Sequence, residues 1–338
     1  MFYNNFNTIL EYIWIGGNGE IRSKTRVLNI AVNKIIDIPC WNYDGSSTDQ
    51  ADSNSNTEVI LNPCKLFKNP FQNNNNNVNH FLVLCETLDT NMNPLPTNHR
   101  HNAVKIFDNN INLEPWFGLE QEYFMIHHKG EKGRNLCSKD GRYYCGTQLN
   151  KIERIIVEEH LQACLNAKIN ISGLNAEVAP SQWEFQIGPC TGIESGDHII
   201  IARFLLERIA EKYDVVINYT PKLYKHINGS GCHTNFSTSV TRHKNGIEEI
   251  YKCMTKLEKK HNEHIKVYGK YNENRLTGIH ETSNINNFSF GVGTRNTSVR
   301  IPNQVVKDGC GYFEDRRPAA NIDPYQVTSL IFQTCCLD

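Results

Sequence analysis

"GLEQEYFMI", residues 118–126, sets two carboxylates two positions apart in a stretch otherwise rich in apolar and aromatic residues. Side chains of a strand alternate between its faces. On that period Trp116, Gly118, Glu120, Glu122 and Phe124 share one face, and Phe117, Leu119, Gln121, Tyr123 and Met125 share the other. The second face suits a core, while the first aims two negative charges at a single spot. Like charges so close are costly unless something positive lies between them, and a metal ion is the usual answer. Alone, the pair reads more readily as an exposed strand face with two solvated carboxylates.

The device recurs along the chain. "NAEVAPSQWEFQIGP", residues 175–189, offers Glu177 and then Glu184, with Trp183, Phe185 and Ile187 on one strand face and Glu184 and Gln186 on the other. In "GCHTNFSTS", residues 231–239, His233, Asn235 and Ser237 oppose Cys232, Thr234 and Phe236. "GYFEDRRP", residues 311–318, places Tyr312, Glu314 and Arg316 together. Five carboxylates and one imidazole thus share a strand parity with aromatic residues behind them. Such an oxygen-rich set with one histidine suits Mg²⁺ or Mn²⁺ better than zinc. Arg275, Arg295, Arg300, Arg316 and Arg317 crowd the C-terminal part of the chain. Guanidinium forks beside divalent cations suit phosphoryl transfer, where the charge on the moving phosphate must be neutralised; ordinary ion pairing accounts for one or two of the five. No G-x-x-x-x-G-K-[ST] loop is present, so a nucleotide would be held by sheet and metals. Cys232 and His233 point to opposite faces, which argues for a buried cysteine rather than a nucleophile.

The 338 residues suffice for a sizeable core and suggest two domains. Charge is balanced, 35 basic against 36 acidic residues, which gives no electrostatic reason to expect nucleic acid or a membrane surface as partner. The longest apolar run, "HIIIARFLLERIA", is interrupted by Arg203 and Glu207. The N-terminal stretch lacks the features of a signal peptide. The 12 cysteines follow no C-x-x-C pattern and fit reduced thiols. A cytoplasmic protein is the expectation. The asparagine run at 73–77 reads as a solvated loop.

Short strands are expected at "YIWI", "TRVLNI", "IIDIP", "EVILNP" and "FLVLCETL" within residues 11–88. "TNMNPLPTNHRHN", residues 90–102, is the candidate linker. Beyond it, Ile199, Ala202, Leu206, Ile209 and Tyr213 follow a helical spacing, with Ser195 and Asp197 as candidate caps. Ile247, Ile250, Met254, Leu257, His261 and His264 define a second helix, whose histidines belong to its core stripe rather than to a metal site. An α+β protein follows, with an N-terminal, mainly β domain over residues 1–93 and a larger domain over 94–338.

"WNYDGSS", "WFGLEQEY", "NAEVAPSQWEFQIGP", "NGSGCHTNFST", "RLTGIHETSNIN", "RIP" and "GYFEDRRPAAN" resemble, in order and spacing, the signature segments of glutamine synthetases of the eukaryotic-type branch. The resemblance runs from "EYIWI" to the C-terminus. It implies an N-terminal β-grasp domain, a catalytic domain with a curved antiparallel sheet, and assembly into rings, a decamer, with active sites between subunits. It also implies the reaction: ATP phosphorylates the γ-carboxylate of L-glutamate, and ammonia displaces the phosphate to give L-glutamine. By the same resemblance Glu122, Glu177 and Glu184 hold one metal and Glu120, His233 and Glu314 another, with a third ion sharing ligands. Glu120, Glu184, Asn235, Ser237, Arg295, Arg300, Tyr312 and the stretch Phe185, Gln186, Ile187, Gly188 and Pro189 correspond to ATP contacts. Gly229, Arg275, Arg295 and Arg316 correspond to contacts with glutamate and the phosphoryl group. Glu281 matches the flap glutamate, and Asp44 the aspartate lent to the ammonium site by a neighbouring subunit, with Arg295 completing the catalytic set. Paired negative groups would attract ammonium and accept its proton. Read without the resemblance, Asp44 is a turn residue before Gly45.

Three positions depart from the family pattern. Gly16 replaces an acid in a turn, and His226 and Ile227 in "HING" alter a stretch near the substrate carboxylate, where glutamate affinity is affected. The sequence also ends at "TCCLD", sooner than typical members, a difference expected to weaken a ring contact. Two further readings compete: a related γ-glutamyl amine ligase, against which Asp44 and Glu281 speak, and an inactive homologue, against which the intact ligands speak.

Overall fold

The structure, a computed structural model, describes residues 7–72, 78–127 and 143–338. The asparagine run at 73–77 lies outside the described residues. The chain forms two compact units, Met1–Asn102 with Gln162–Ile169, and Ala103–Leu161 with Asn170–Asp338. Among the described residues no helix is long and apolar enough to cross a membrane, and the eleven cysteines there are free thiols.

The first unit is built on strands β1 (Asn7–Ile15), β2 (Ile21–Leu28), β3 (Trp41–Asp44), β4 (Glu58–Lys68) and β5 (Val78–Leu88). Their order is β2-β1-β5-β4-β3, with β1 and β5 parallel and the other pairs antiparallel. Leu10, Tyr12 and Trp14 alternate along β1 onto one face and pack with Val32, Ile38, Leu61 and Val83. Glu11 and Ile13 on the other face are buried too, so burial along β1 is nearly continuous, as expected of a strand paired on both edges. "IIDIP" is not a strand. Residues Ile35–Asp37 form a single 3-10 turn, because the Asp37 carboxylate accepts the backbone N–H groups of Asn33 and Lys34 at 3.1 and 3.0 Å. Local side-chain capping wins over strand pairing there.

The second unit carries β6 (Trp116–His127), β7 (Ile171–Ala176), β8 (Gln182–Thr191), β9 (Val215–Asn218), β10 (Cys232–Ser237), β11 (Phe290–Val292), β12 (Val299–Ile301) and β13 (Phe313–Asp315). They form one sheet in the order β11-β12-β13-β10-β6-β8-β7, and β9 pairs with the far end of β6. All pairs are antiparallel except β11 with β12. The helices along the chain are α1 (His99–Asp108), α2 (Lys151–Asn166), α3 (Glu194–Glu211), α4 (Ser239–Arg242), α5 (Gly246–Lys259), α6 (His261–Val267), α7 (Asn303–Asp308) and α8 (Pro324–Phe332).

Helix α3 is buried along almost its whole length. Ser195 and Asp197 are not its caps: both lie inside the first turn, Ser195 donating to the Gly192 carbonyl at 2.8 Å and Asp197 accepting from the Tyr325 hydroxyl at 2.8 Å. The single stripe expected over residues 247–264 is broken at Lys260 into α5 and α6. Arg203 of α3 reaches the core face of β6, where its Nε donates to Gln121 Oε1 at 2.8 Å and its guanidinium also meets the carbonyls of Ala320 and Ile322. A buried cation is tolerable only when its donors are satisfied in this way.

Candidate active site

Strand register assembles the site. On β6, Glu120 stands opposite His233 of β10 and opposite Gln186 of β8, while Glu122 stands opposite Glu184. On β13, Glu314 stands opposite Asn235 of β10 and opposite Arg300 of β12. Neighbouring strands lie about 4.8 Å apart, so directly opposed side chains on one face are forced together. Register thus gathers Glu120, His233 and Glu314 and sets Glu122 beside Glu184, while Glu177, just past the end of β7, completes a second triad; each triad offers ligand atoms within 4.8 Å of one another.

In the first triad His233 Nδ1 lies 3.4 Å from Glu120 and 3.5 Å from Glu314. Burial, and then the Arg316 charge, hold this imidazole neutral, well below the usual histidine range. Glu314 is 1% exposed and contacts Arg300 Nε at 2.6 Å and Arg316 NH1 at 2.7 Å, although its Oε2 accepts no hydrogen bond of proper angle. In the second triad burial, followed by the Glu177 charge, raises Glu122 to about 8. Burial and the Glu120 and Glu122 charges raise Glu184 to about 9, and burial also raises Glu177. Three crowded acids that resist ionisation together, with no cationic side chain among the described residues bonded to them, fit a divalent cation. The donor set, carboxylates and one imidazole without a thiolate, could hold a divalent metal ion.

Backbone and second-rank polar groups fix these side chains. Gly231 N–H donates to Glu122 Oε2 at 2.7 Å, Val178 N–H to Glu177 Oε2 at 3.0 Å, and Asn235 Nδ2 to Glu120 Oε1 at 2.8 Å. Gln186 bonds Glu184 and Asn175, and Asn175 bonds Glu177. Arg275, 3% exposed, donates to His233 Nε2 at 3.1 Å and to the carbonyls of Arg316 and Arg317. Gly229 packs against it: a Cβ there would meet the Pro221 carbonyl oxygen at 2.2 Å and Arg275 Cγ at 3.1 Å, so no larger residue fits. Lys222 closes the same loop by donating to the Ile227 carbonyl.

A cavity of about 450 Å³ opens beside Glu120. Gln186, Ile187, Gly188 and Pro189 line one side, and Asn235, Ser237 and Tyr312 the other. Gly188 has φ of +119°, and a Cβ on it would meet the Phe117 carbonyl oxygen at 2.4 Å. The Phe185 side chain is fully buried on the opposite face against His160 and Tyr123, so only its backbone belongs to this region. Glu184, Arg295 and Arg300 do not line the cavity. Glu184 joins the second triad, Arg300 contacts Glu314, and Arg295 NH1 pairs with Glu281 Oε2 at 3.0 Å. Arg316 ties these parts together, its Nε donating to the Arg295 carbonyl at 3.2 Å while its NH1 holds Glu314.

Two parts of the site escaped sequence reasoning. Trp116 and Arg242 form a stacked wall of the cavity, the guanidinium 3.8 Å from the ring centroid and its NH1 3.0 Å from Ser237 Oγ. The parity of β6 put Trp116 on the Glu120 face, which was the available signal, whereas Arg242 sits on a short helix with no pattern of its own. Tyr144 lies under Arg295, 5.6 Å from ring centroid to guanidinium, and feels the Glu177 charge. Asp44 belongs to the first unit. It ends β3 and caps the 3-10 turn Gly45–Thr48, with Oδ1 accepting Ser46 N–H at 3.0 Å and Ser46 Oγ at 2.7 Å. It is exposed.

Five carboxylates and an imidazole, groups that could hold metal ions, gather on this sheet and its flanking loop beside the cavity, an arrangement suited to an enzyme. A family model described as "Glutamine synthetase, catalytic domain" matches residues 98–261. A chain of Acanthamoeba polyphaga mimivirus is 56% identical over 337 residues, covering 97% of this chain and 94% of its own. A "Glutamine synthetase" of Emericella nidulans is 50% identical over 337 residues (98% of this chain, 93% of the relative), and a "Glutamine synthetase nodule isozyme" of Lupinus luteus 50% over 339 (97% and 95%). The chain belongs to the glutamine synthetase family.

Proposed function

We propose that this chain is a glutamate–ammonia ligase: ATP phosphorylates the γ-carboxylate of L-glutamate, and ammonia displaces phosphate to give L-glutamine and ADP. The observation that carries this reading is the pair of ligand triads in a chain that matches 93% of the length of a glutamine synthetase relative. In this reading two to three Mg²⁺ or Mn²⁺ ions in the triads would neutralise the phosphate oxygens of ATP. Glu122, Glu177 and Glu184 are assigned to one ion and Glu120, His233 and Glu314 to the other.

The cavity suits the nucleotide. Its Trp116–Arg242 wall offers a stacking surface, and Asn235, Ser237, Tyr312 and the backbone of 185–189 offer hydrogen bonds. Glutamate is assigned to Arg275, Arg316 and the Gly229 backbone. Arg295 and Arg316, both hydrogen-bonding near Glu281 and Glu314, are assigned to the charge of the moving phosphoryl group. Glu281, with Asp44 of a neighbouring subunit, is assigned to attract ammonium and take its proton. The finer architecture proposed is a β-grasp domain over residues 1–93 and a catalytic domain over 94–338, assembled as a decameric ring in the cytoplasm.

An assay of phosphate release from ATP plus glutamate, with ammonia, hydroxylamine and longer amines compared, tests the activity. The ligase reading expects ammonia to be the best acceptor at low concentration. Preference for longer amines would favour a γ-glutamyl amine ligase, and no turnover with any amine an inactive homologue.

A further inference from the structure

His261 and His264, the histidines of the helical stripe, touch neither the triads nor the cavity, yet both are buried polar groups with two partners each. They close the two arms of a network behind β13. Successive residues of a strand face opposite ways, so Glu314 points into the site while Asp315 points behind it. There Asp315 accepts from Arg317 Nε at 2.9 Å and from the Tyr268 hydroxyl at 2.7 Å, and all three side chains are fully buried.

The proton directions are fixed by what each group can do. Asp315 only accepts, so the Tyr268 hydroxyl spends its proton there and must accept from His264 Nδ1–H at 2.6 Å. His264 Nε2 then accepts from the Thr334 hydroxyl at 2.9 Å, and this arm ends near the C-terminus. On the other arm Arg317 NH1 only donates, so His261 Nδ1 accepts at 3.0 Å. The neutral ring therefore carries its proton on Nε2 and donates it to the Ile285 carbonyl at 2.7 Å.

Ile285 is the base of a closed loop. Ile285 N–H bonds the Leu276 carbonyl at 2.9 Å, Gly278 N–H bonds the Ser283 carbonyl at 3.2 Å, and Thr277 bridges Asn284. At its tip His280 and Glu281 both take left-handed φ, 54° and 64°, a strained conformation for non-glycine residues that persists only when the surroundings enforce it. Glu281 is thereby brought to Arg295, and the Glu281 carbonyl to Arg316 NH2 at 3.4 Å. We propose that His261 is a positioning residue for the ammonia-consuming half-reaction: through Arg317 and Ile285 it locks the base of the Glu281 loop to the back of β13, the strand that bears Glu314 and leads into Arg316. Its kinetic consequence rests on the ligase reading, whereas the mechanical lock does not.

Two measurements test it together: steady-state kinetics with ammonium and ATP varied separately, and backbone hydrogen exchange over residues 276–286. His261→Phe removes both bonds. It is expected to raise the KM for ammonium about tenfold, in line with the loss of a buried hydrogen bond, to leave the KM for ATP unchanged, and to speed exchange over 276–286. His261→Gln, which keeps an acceptor and a donor, should restore both readouts. Thr334→Val breaks only the other arm and should leave both at their native values. Should His261→Phe fail to fold, His261→Asn, which retains the Arg317 acceptor but is too short for Ile285, carries the same expectation. Native exchange and a native ammonium KM in the disrupted variants, parallel rises in both KM values, or the same effects from Thr334→Val would overturn the proposal. Exchange is read without turnover, so an unaltered chain that makes no glutamine would sink the ligase reading while the lock is still decided.

Discussion

Glu281 is the residue on which the ammonia step turns in this account. Its carboxylate stands half-exposed against Arg295, at the tip of a loop whose backbone is left-handed at that position. General-base help is worth about 100- to 10,000-fold. Glu281→Ala is therefore expected to cut glutamine formation at least about 100-fold while glutamate-dependent ADP release falls much less. Product analysis of both nucleotide and amino acid measures the split, and native glutamine formation would remove Glu281 from the mechanism. Strand parity alone makes Glu120, Glu122, Glu184, His233 and Glu314 legible as one face, since a period of two leaves little choice. It does not reveal Gln121 as the anchor of Arg203, because the partner lies 82 residues away and a polar residue on the core face gives no direction. Arg242 is silent for the same reason.

Among the elements, β6 and β8 carry much of the site, and buried histidines behind the sheet shape how stability depends on pH. His160 of α2 is buried, donates from Nε2 to the Ala202 carbonyl at 2.9 Å, and packs edge-on to Phe185 of β8. Burial lowers it to about 4 and lowers His264 to about 3. For each, the unfolded chain binds a proton near pH 6.5 that the native ring refuses. The stability they leave intact above pH 6.5 is thus lost as pH falls towards 4 and 3, by about 2 kcal/mol per fully buried ring at pH 5. Glu122 and Glu184 act oppositely without cations, since their raised values mean the native state holds protons the unfolded chain has released, and stability falls as pH rises from 4.5 towards 8 and 9. Thermal unfolding of cation-free protein should therefore peak at mildly acidic pH, and His160→Gln should flatten the acid limb. An acid limb unchanged in His160→Gln would contradict this. Elements are legible where burial is periodic. "IIDIP" misleads because its apolar residues carry a strand's composition while Asp37 binds its own backbone. The break at Lys260 is hidden because Leu257, His261 and His264 keep their spacing and their burial across it.

At the scale of the whole molecule, Asp44 belongs to one unit of the chain and the triads to the other. Asp44 is exposed, and its hydrogen bonds to Ser46 hold its carboxyl below the usual range, so it stays charged and open to a cation. If a neighbouring subunit lends it, inactive Asp44→Ala and inactive Glu120→Ala chains should recover part of the activity when co-assembled, because some interfaces then combine an intact Asp44 with an intact triad. Activity of mixed rings, with mixing verified by mass, is the readout. No recovery in verified mixtures would place the whole site within one subunit.

Strand register on one sheet, with Glu177 beside it, lines a negatively charged cup proposed to hold divalent ions. Titration with Mn²⁺ followed by electron paramagnetic resonance reads this directly. At least two saturable sites per chain are expected, with Glu122→Gln weakening one of them by about tenfold or more. No saturable Mn²⁺ binding, or a titration that Glu122→Gln leaves unchanged, would contradict the claim.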